Sequence, residues 1–421
     1  MSESALIDQR WIARDAERAS TSRFILWLTP WVLLLLLGIY AAGLCFYYGL
    51  NQTNMDNRFA FGMWIFLDLS IIAMGAGAFF TGFLVYILKQ TDLKPVLNSA
   101  VVVGLICYSG AVAVLMVDVG QPLRAWFTFW YPNTHSMLTE VTFCISCYLL
   151  VLILEYIPVL LRNRQLHKIP SFMIFEHQLH KLVPVLAGVG AFLSFFHQGS
   201  LGGLYGVLRG RPFVYRQGFA IWPSTFFLFI LSAMAVGPSF LMLVVAAAEK
   251  ITRRQLVQPG VFRKLGFISG VLLALYVAAK AVDTYVWLNI TSPTLGYGPW
   301  DYYSYWPLSS TFLFTATVPL GLLPAILFIV PFTARKRGLL LVAASLACCG
   351  VLLNRFVFTV QTLALPTLPF DEFLTYTPSW QEVATFGGVI AYGVILYSLS
   401  YRYLPLFEPL KGVDKEHVSL D

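Results

Sequence analysis

The chain has 421 residues, of which 58% are hydrophobic and 12% charged, and its net charge is +7. A mean hydropathy of +0.72 at this length excludes a water-soluble globular domain. The excess positive charge is explained by its distribution among loops, described next, and calls for no nucleic acid.

Ten apolar stretches are long enough to cross a ~30 Å hydrocarbon core as helices. In chain order they are 25–48, 61–88, 96–117, 137–160, 182–207, 224–248, 265–288, 309–332, 339–361 and 384–402. Residues 1–24 are polar and mixed in charge. The apolar run after them is too long for a secretory signal and lacks a small-residue cleavage site, so the first span is expected to stay as an anchor. The longest connections are 161–181, 289–308 and 362–383, which leaves no soluble domain of any size. Of the 28 Lys and Arg residues, 21 fall on one set of connections and 5 on the other, the latter being Arg58, Arg124, Arg209, Arg211 and Arg216. Lys280 and Arg355 lie inside spans. The positive-inside rule makes the richer side cytoplasmic, and an even number of spans then puts both termini there.

All six cysteines fall inside spans and are expected to be packing residues; Cys144 and Cys147 are neighbours on one helix face. There is no C-x-x-C-H and no four-cysteine ferredoxin run. Among His135, His167, His177, His180, His197 and His417 only His197 lies deep in a span, so a bis-histidine haem site cannot be assembled. The chain is expected to carry no haem, no iron–sulfur cluster and no other metal.

A charge at mid-bilayer costs about 2.5–3.5 kcal/mol even on lenient scales, so ionisable residues inside spans are functional candidates. They are Asp68, Glu140, Glu155, His197, Lys280, Asp283 and Arg355. At 1.5 Å per residue Glu140 lies about 5 Å, Asp68 about 10 Å and His197 about 15 Å below the outer ends of their helices. Glu155 is the exception, close to the cytoplasmic end of the fourth span. Lys280 and Asp283, spaced i, i+3, share a helix face. With Arg355 nearby they read either as a neutralising ion pair or as part of a proton path.

Two outer segments concentrate polar groups. The first holds Asp118, Gly120, Pro122, Arg124, Trp126, Asn133, His135 and Ser136, with Glu140 following. Gly and Pro end one helix and Asn or Ser caps the next. Asp118, Arg124, Trp126, His135 and Glu140 have no such role, and an aromatic among titratable groups suits a lipophilic ring that gains and loses protons. The second segment holds His197, Gln198, Ser200 and Tyr205 among Gly199, Gly202, Gly203 and Gly206. Its small residues admit a neighbouring helix or a ligand close to the backbone.

The pattern D-x-G-x-P-x-R-x-W…N-x-x-S-M over Asp118–Met137, and H-Q-x-S-L-G from His197 onward, resemble the NrfD/PsrC family of quinone-interacting membrane subunits. These occur in polysulfide and nitrite reductases, in alternative complex III and in the quinone reductase complex of sulfate-reducing bacteria, whose branch this chain resembles most. The resemblance covers essentially the whole chain. Gln121 departs from it, since many relatives carry Arg there.

The resemblance implies an all-α membrane protein of the bacterial inner membrane. Two four-helix bundles, spans 2–5 and 6–9, would be flanked by spans 1 and 10. The corresponding segments are a cytoplasmic 1–24, an anchor and outer loop 25–60, a quinone-binding bundle 61–208, a second bundle 209–361, and a loop, last span and tail 362–421. It further implies menaquinone bound near the periplasmic side, and electrons from a periplasmic iron–sulfur subunit. Through that partner the chain would meet a multihaem cytochrome c and a molybdopterin-family-like subunit. His197, Asp68, Glu140 and His135 are the expected catalytic residues. Asp118, Arg124, Trp126, Asn133, His135, His197, Gln198 and Tyr205 are expected to hold the quinone, and Glu155, Lys280, Asp283 and Arg355 to carry protons. A secondary transporter with a buried charged substrate site is the competing reading, but transporter sites sit at the midplane on interrupted helices. A pure assembly anchor would not need the intramembrane charges. Co-purification separates the three: a redox subunit brings both an iron–sulfur protein and quinone.

Overall fold

The computed structural model describes residues 10–13, 18–211, 214–217, 222–296, 318–364 and 374–408. Among these residues there is no strand. The helices are α1 (Thr21–Tyr48), α2 (Met63–Gly82, prolonged by a π turn Phe83–Ile87), α3 (Leu97–Asp118) and α4 (Met137–Leu161). They continue with α5 (Pro170–Gly206), α6 (Ser224–Thr252), α7 (Pro259–Val286, prolonged by a π turn Trp287–Thr291) and α8 (Leu323–Ile329). The last two are α9 (Arg337–Thr359) and α10 (Trp380–Tyr403). Nine helices among the described residues are long and apolar enough to cross a membrane. The expected span 309–332 lies partly outside the described residues, which include of it only α8 and the turns on either side.

Most expected boundaries hold within a few residues, but α5 starts at Pro170 rather than 182 and runs for 37 residues. At 1.5 Å per residue that is about 55 Å, far more than the ~30 Å core, so the helix continues beyond the hydrocarbon. Hydropathy detects only its apolar part; its start is set by Pro170, whose fixed φ suits a first helical position.

Helices α2, α3, α4 and α5 pack in a ring: α2 on α3, α3 on α4, α4 on α5, and α5 back on α2. The second half repeats the arrangement with α6, α7, α8 and α9. Helix α6 joins the two rings by packing on both α2 and α5. Helices α1 and α10 pair with each other, and α10 rests on α3. Within the apolar stretch of α2, 78% of residues are buried against protein, against 11% for α1, so α2 is central and α1 peripheral.

The crossing of α2 and α6 has no room for side chains. A Cβ at Gly237 would lie 2.2 Å from the Gly77 nitrogen, and one at Gly77 would lie 2.5 Å from the Gly237 carbonyl oxygen. Both neighbours are backbone and cannot swing aside. Gly237→Val is therefore expected to separate the rings and cost about 3 kcal/mol or more, beyond ordinary overpacking. The check is thermal aggregation of the detergent-solubilised complex; a melting temperature equal to wild type would contradict the packing.

Contacts at the two ends assign helix termini to faces. Asn163, between α4 and α5, donates from its amide to the Trp11 carbonyl (3.0 Å) and the Tyr403 carbonyl (2.8 Å). The chain before α1 and the end of α10 thus share a face with the α4–α5 connection. Lys264 pairs with Asp92 (2.6 Å) and Arg337 with Glu249 on that same face. On the other face, Ser379 and Glu382 form a capping box at the start of α10. The fully buried Glu382 carboxylate also accepts the backbone N–H of Met63 (3.1 Å) and the Tyr376 hydroxyl, so one side chain caps both α10 and α2. Burial and this carboxylate raise the Tyr376 phenol above its ordinary range, which keeps it a donor.

Candidate functional site

Asp68 sits on α2 about 7.5 Å below the helix start. It is 3% exposed, and its Oδ1 has no hydrogen-bond partner. On α5, His197 is fully buried, and neither ring nitrogen makes a hydrogen bond of normal geometry, the polar neighbour of the ring being the Val141 backbone. Next to it the Gln198 amide is buried without a hydrogen bond of normal geometry, its polar neighbour being the Tyr108 hydroxyl, and two turns on the Tyr205 hydroxyl has no hydrogen-bond partner. The Tyr205 ring meets Phe61 edge-on at 5.8 Å and lies within electrostatic reach of both Asp68 and Asp118. A buried polar group without a partner costs roughly 1–3 kcal/mol, and native proteins hold few. Here six such atoms fall on four neighbouring residues of the first ring.

The glycines of α5 have a different use. A Cβ at Gly199 would strike the Phe226 ring at 2.4 Å, and one at Gly202 the Thr225 carbonyl at 2.3 Å. The small residues therefore serve the close approach of α6, while His197 and Gln198 present polar atoms beside them.

Two tyrosines absent from the ionisable inventory join the cluster. Tyr108 of α3 shares a 2.8 Å hydrogen bond with Ser194 of α5, and its ring centre lies 5.9 Å from that of His197. Tyr148 of α4 packs edge-on against Tyr108 at 4.5 Å, and its hydroxyl faces the Phe79 backbone of α2 without a hydrogen bond of normal geometry. In sequence both read as aromatic packing; the only signal is a hydroxyl deep in an apolar span.

The outer hairpin does not enter this cluster. Asp118, at the end of α3, is half-buried and close enough to Asp68 for their charges to interact. Arg124, Trp126, Asn133 and His135 are all exposed, Trp126 by 52%. His135 is held by a local turn, its backbone N–H donating to Asn133 Oδ1 at 3.1 Å. Glu140 is half-buried beside Ser200, whose hydroxyl donates to the Phe196 carbonyl at 2.7 Å. The structure thus separates a buried set (Asp68, His197, Gln198, Tyr205) from a surface set (Arg124, Trp126, Asn133, His135).

Glu155 lies at the opposite end of the first ring, 8% exposed. It lines a cavity of about 30 Å³ with Tyr86, Asn98, Arg162 and His180. Tyr86 belongs to the π turn of α2, a distortion often found at functional positions. Along α2, Tyr86 and Asp68 are about 27 Å apart, close to the full hydrocarbon thickness.

In the second ring Lys280 and Asp283 do form the expected pair, at 3.3 Å. The main partner of Asp283 is a different residue: Arg216 Nε lies 3.0 Å from Oδ1 and 3.2 Å from Oδ2, and Ser224 donates to the same carboxylate at 2.5 Å. By sequence Arg216 counts as an outer loop charge. Residues 214–217 fold back onto α5, where Arg216 N–H donates to the Gly206 carbonyl at 2.9 Å, and this carries the guanidinium inward. Arg355 instead stacks on Phe229 at 3.5 Å and donates to Ser232 at 2.8 Å and Asn354 at 3.0 Å. A cavity of about 260 Å³ between α6 and α7 lies against the Arg216–Asp283 pair.

The family described as "Polysulphide reductase, NrfD" matches residues 51–366. The integral membrane subunit of menaquinone reductase from Nitratidesulfovibrio vulgaris is 48% identical over 403 residues, covering 95% of this chain and 96% of that protein. More distant are a probable Ni/Fe-hydrogenase 2 b-type cytochrome subunit of Escherichia coli and a selenate reductase subunit of Mesobacillus selenatarsenatis. The first is 24% identical over 87% of this chain and 88% of its own length, the second 22% over 88% and 91%.

Proposed function

This chain belongs to the NrfD family, and from that premise we propose that it is the quinone-binding membrane subunit of a respiratory menaquinone reductase. It is an integral membrane protein of a family whose members work with other redox subunits in oxidoreductase complexes. In the proposed arrangement it crosses the bacterial inner membrane ten times with both termini cytoplasmic. Residues 61–208 and 209–361 form two bundles, 1–24 and 25–60 precede them, and 362–421 close the chain. The two rings of helices support this division, and the shared face of residues 10–13, Asn163 and Tyr403 supports an even count.

The observation that carries the site is the set of buried, unpartnered polar atoms on Asp68, His197, Gln198 and Tyr205. A quinone ring is flat and apolar with two carbonyl acceptors. Buried donors on His197, Gln198 and Tyr205 match those acceptors, and Asp68 can deliver a proton. Electrons come from a periplasmic iron–sulfur partner, itself supplied through a multihaem cytochrome c and a molybdopterin-family-like subunit. Arg124, Trp126, Asn133 and His135 then belong to the mouth of the site or to the partner contact, since they lie at the surface. Titration of the purified complex with a fluorescent quinol analogue tests the reading. Gln198→Ala is expected to weaken binding roughly tenfold, as loss of a buried hydrogen bond does. Wild-type affinity would remove the ligand from this cluster.

Protons are proposed to arrive from the cytoplasmic side at Glu155. Its burial beside a cavity large enough for one water supports the assignment. Glu155→Gln is expected to leave quinone binding intact and slow proton uptake about fivefold or more, since an amide cannot exchange the proton. A pH-sensitive dye trapped in proteoliposomes reads this directly; uptake at the wild-type rate would take Glu155 off the route. Lys280, Asp283 and Arg355, now with Arg216, are proposed as a second route through the other bundle.

A further inference from the structure

The cavity of about 260 Å³ between α6 and α7 lies outside the first ring, and its shape follows from the spacing of its walls. On α6 it is lined by Ser224, Phe227, Leu228 and Leu231, and on α7 by Ala279, Val282, Asp283 and Val286. Each set is spaced i, i+3, i+4, i+7, which makes one stripe along a helix. Two such stripes side by side form a groove parallel to the helix axes, the direction that lipid chains take in a bilayer. From Thr291 at the outer end to Ala279 the groove runs about 18 Å. Phe227 and Val282 are 54% and 65% exposed, so its long side is open to the hydrocarbon.

The two ends of the groove differ. Its inner part is walled by Leu228, Leu231 and Ala279, all apolar, and the polar groups gather toward the outer end. There the Gln217 amide donates to the Thr294 hydroxyl at 3.1 Å and ties residues 214–217 to the end of α7. Thr291, the last residue of the π turn, is 1% exposed, and its hydroxyl has no hydrogen-bond partner. The charges on the wall are already engaged. Asp283 accepts from Arg216 and Ser224, and the Arg216 guanidinium lies over the Trp287 ring at 5.2 Å. A neutralised pair does not select a free ion, whereas a buried hydroxyl without a partner carries a desolvation cost that a neutral acceptor would relieve. Valine would fill the same space at position 291 without that cost.

We propose that this groove binds one membrane lipid, its chain lying along Phe227, Leu231, Val282 and Val286 and a carbonyl oxygen of its head accepting the Thr291 hydroxyl. The chemistry recognised is a long apolar chain below a neutral carbonyl. Two membrane molecules carry it, a phospholipid through its ester and a second menaquinone through its ring. The volume lies just below the about 300 Å³ at which ligand pockets begin, so the groove takes one chain rather than a whole two-chain lipid. The bound chain covers Arg216 and Asp283 on the bilayer side and completes the low-dielectric wall around them. The site is separate from the His197 cluster and does not rest on the quinone reading above.

The test measures the lipid that the whole complex retains through extensive detergent exchange, by native mass spectrometry and by solvent extraction. Ala279→Phe and Val282→Trp fill the groove from exposed positions and are expected to lower the retained lipid by about one molecule per complex. Thr291→Val keeps the volume and removes the donor, and is expected to weaken retention about tenfold, as loss of a buried hydrogen bond does. Ile390→Trp on α10, also exposed but outside the groove, is the control and should retain the wild-type amount. Extraction tells the two sources apart: loss of organic phosphate identifies a phospholipid, and a fall of about one menaquinone per complex identifies a second quinone. In the second case His197→Ala should leave the groove molecule in place. Unchanged phosphate and quinone content in Ala279→Phe and Val282→Trp, with the complex intact on a gel, overturns the proposal. Wild-type retention in Thr291→Val overturns it as well, and that variant decides the matter should the filled ones fail to assemble.

Discussion

His197→Ala is expected to lower quinone reduction by about a hundredfold or more while the protein still assembles with its partners. Positioned acid–base groups commonly contribute roughly 10²–10⁴-fold, and here the same ring supplies both the hydrogen bond and the proton. The ring is fully buried and its nitrogens make no hydrogen bond of normal geometry, their polar neighbour being the Val141 backbone, so its removal breaks at most that one contact. The structural cost is chiefly a cavity, and His197→Gln, which restores one donor, should recover part of the activity. Asp68→Asn should slow turnover by a smaller factor, because a neighbouring acid is lost while the His197 contact remains. Turnover with a water-soluble menaquinone analogue, with the composition of the purified complex read on a gel, decides the matter. Wild-type turnover in His197→Ala would make it a packing residue and move the quinone elsewhere.

Asp283→Ala is expected to be the most damaging single change in the second half of the chain. It removes the carboxylate that Arg216, Lys280 and Ser224 all approach, within a region where Arg216 is 5% and Lys280 2% exposed. Breaking a buried pair by removing one partner typically costs about 3–5 kcal/mol, whereas replacing all members by apolar groups is often tolerated. Replacing only Lys280 and Asp283 would strip Arg216 of that carboxylate. The informative variant is the triple change Arg216→Leu, Lys280→Met, Asp283→Leu, which should assemble where Asp283→Ala does not. If the network carries protons, the assembled triple variant loses membrane-potential generation in proteoliposomes. Full potential in that variant would leave the second ring as scaffold.

The Arg216–Asp283 pair also marks where reading by span runs out. Lys280 and Asp283 are legible as partners because three residues of one helix fix their geometry. Arg216 is 67 residues away in sequence and meets Asp283 only because residues 214–217 fold back. The hairpin misleads in the other direction. Asp118, Arg124, Trp126, Asn133, His135 and Glu140 are close in sequence, but Arg124, Trp126, Asn133 and His135 lie at the surface and none of the four joins Asp68 and His197. Tyr108 and Tyr148 escape an inventory of charges because it does not count hydroxyls.

That this is an all-helical membrane protein, where most spans begin and end, and which intramembrane residues are costly enough to need a reason are all legible one helix at a time in the amino-acid sequence. Those properties belong to one helix at a time, because a membrane helix satisfies its own backbone and is selected by the apolar character of about 20 residues. Which polar atoms meet, that the α5 glycines serve α6, that Glu382 caps two helices and that Asp283 takes Arg216 emerge only from the packing of the helices. Such contacts depend on the rotation and tilt of each helix against its neighbours. That geometry is set by close packing such as Gly77 on Gly237, which no stretch read singly contains.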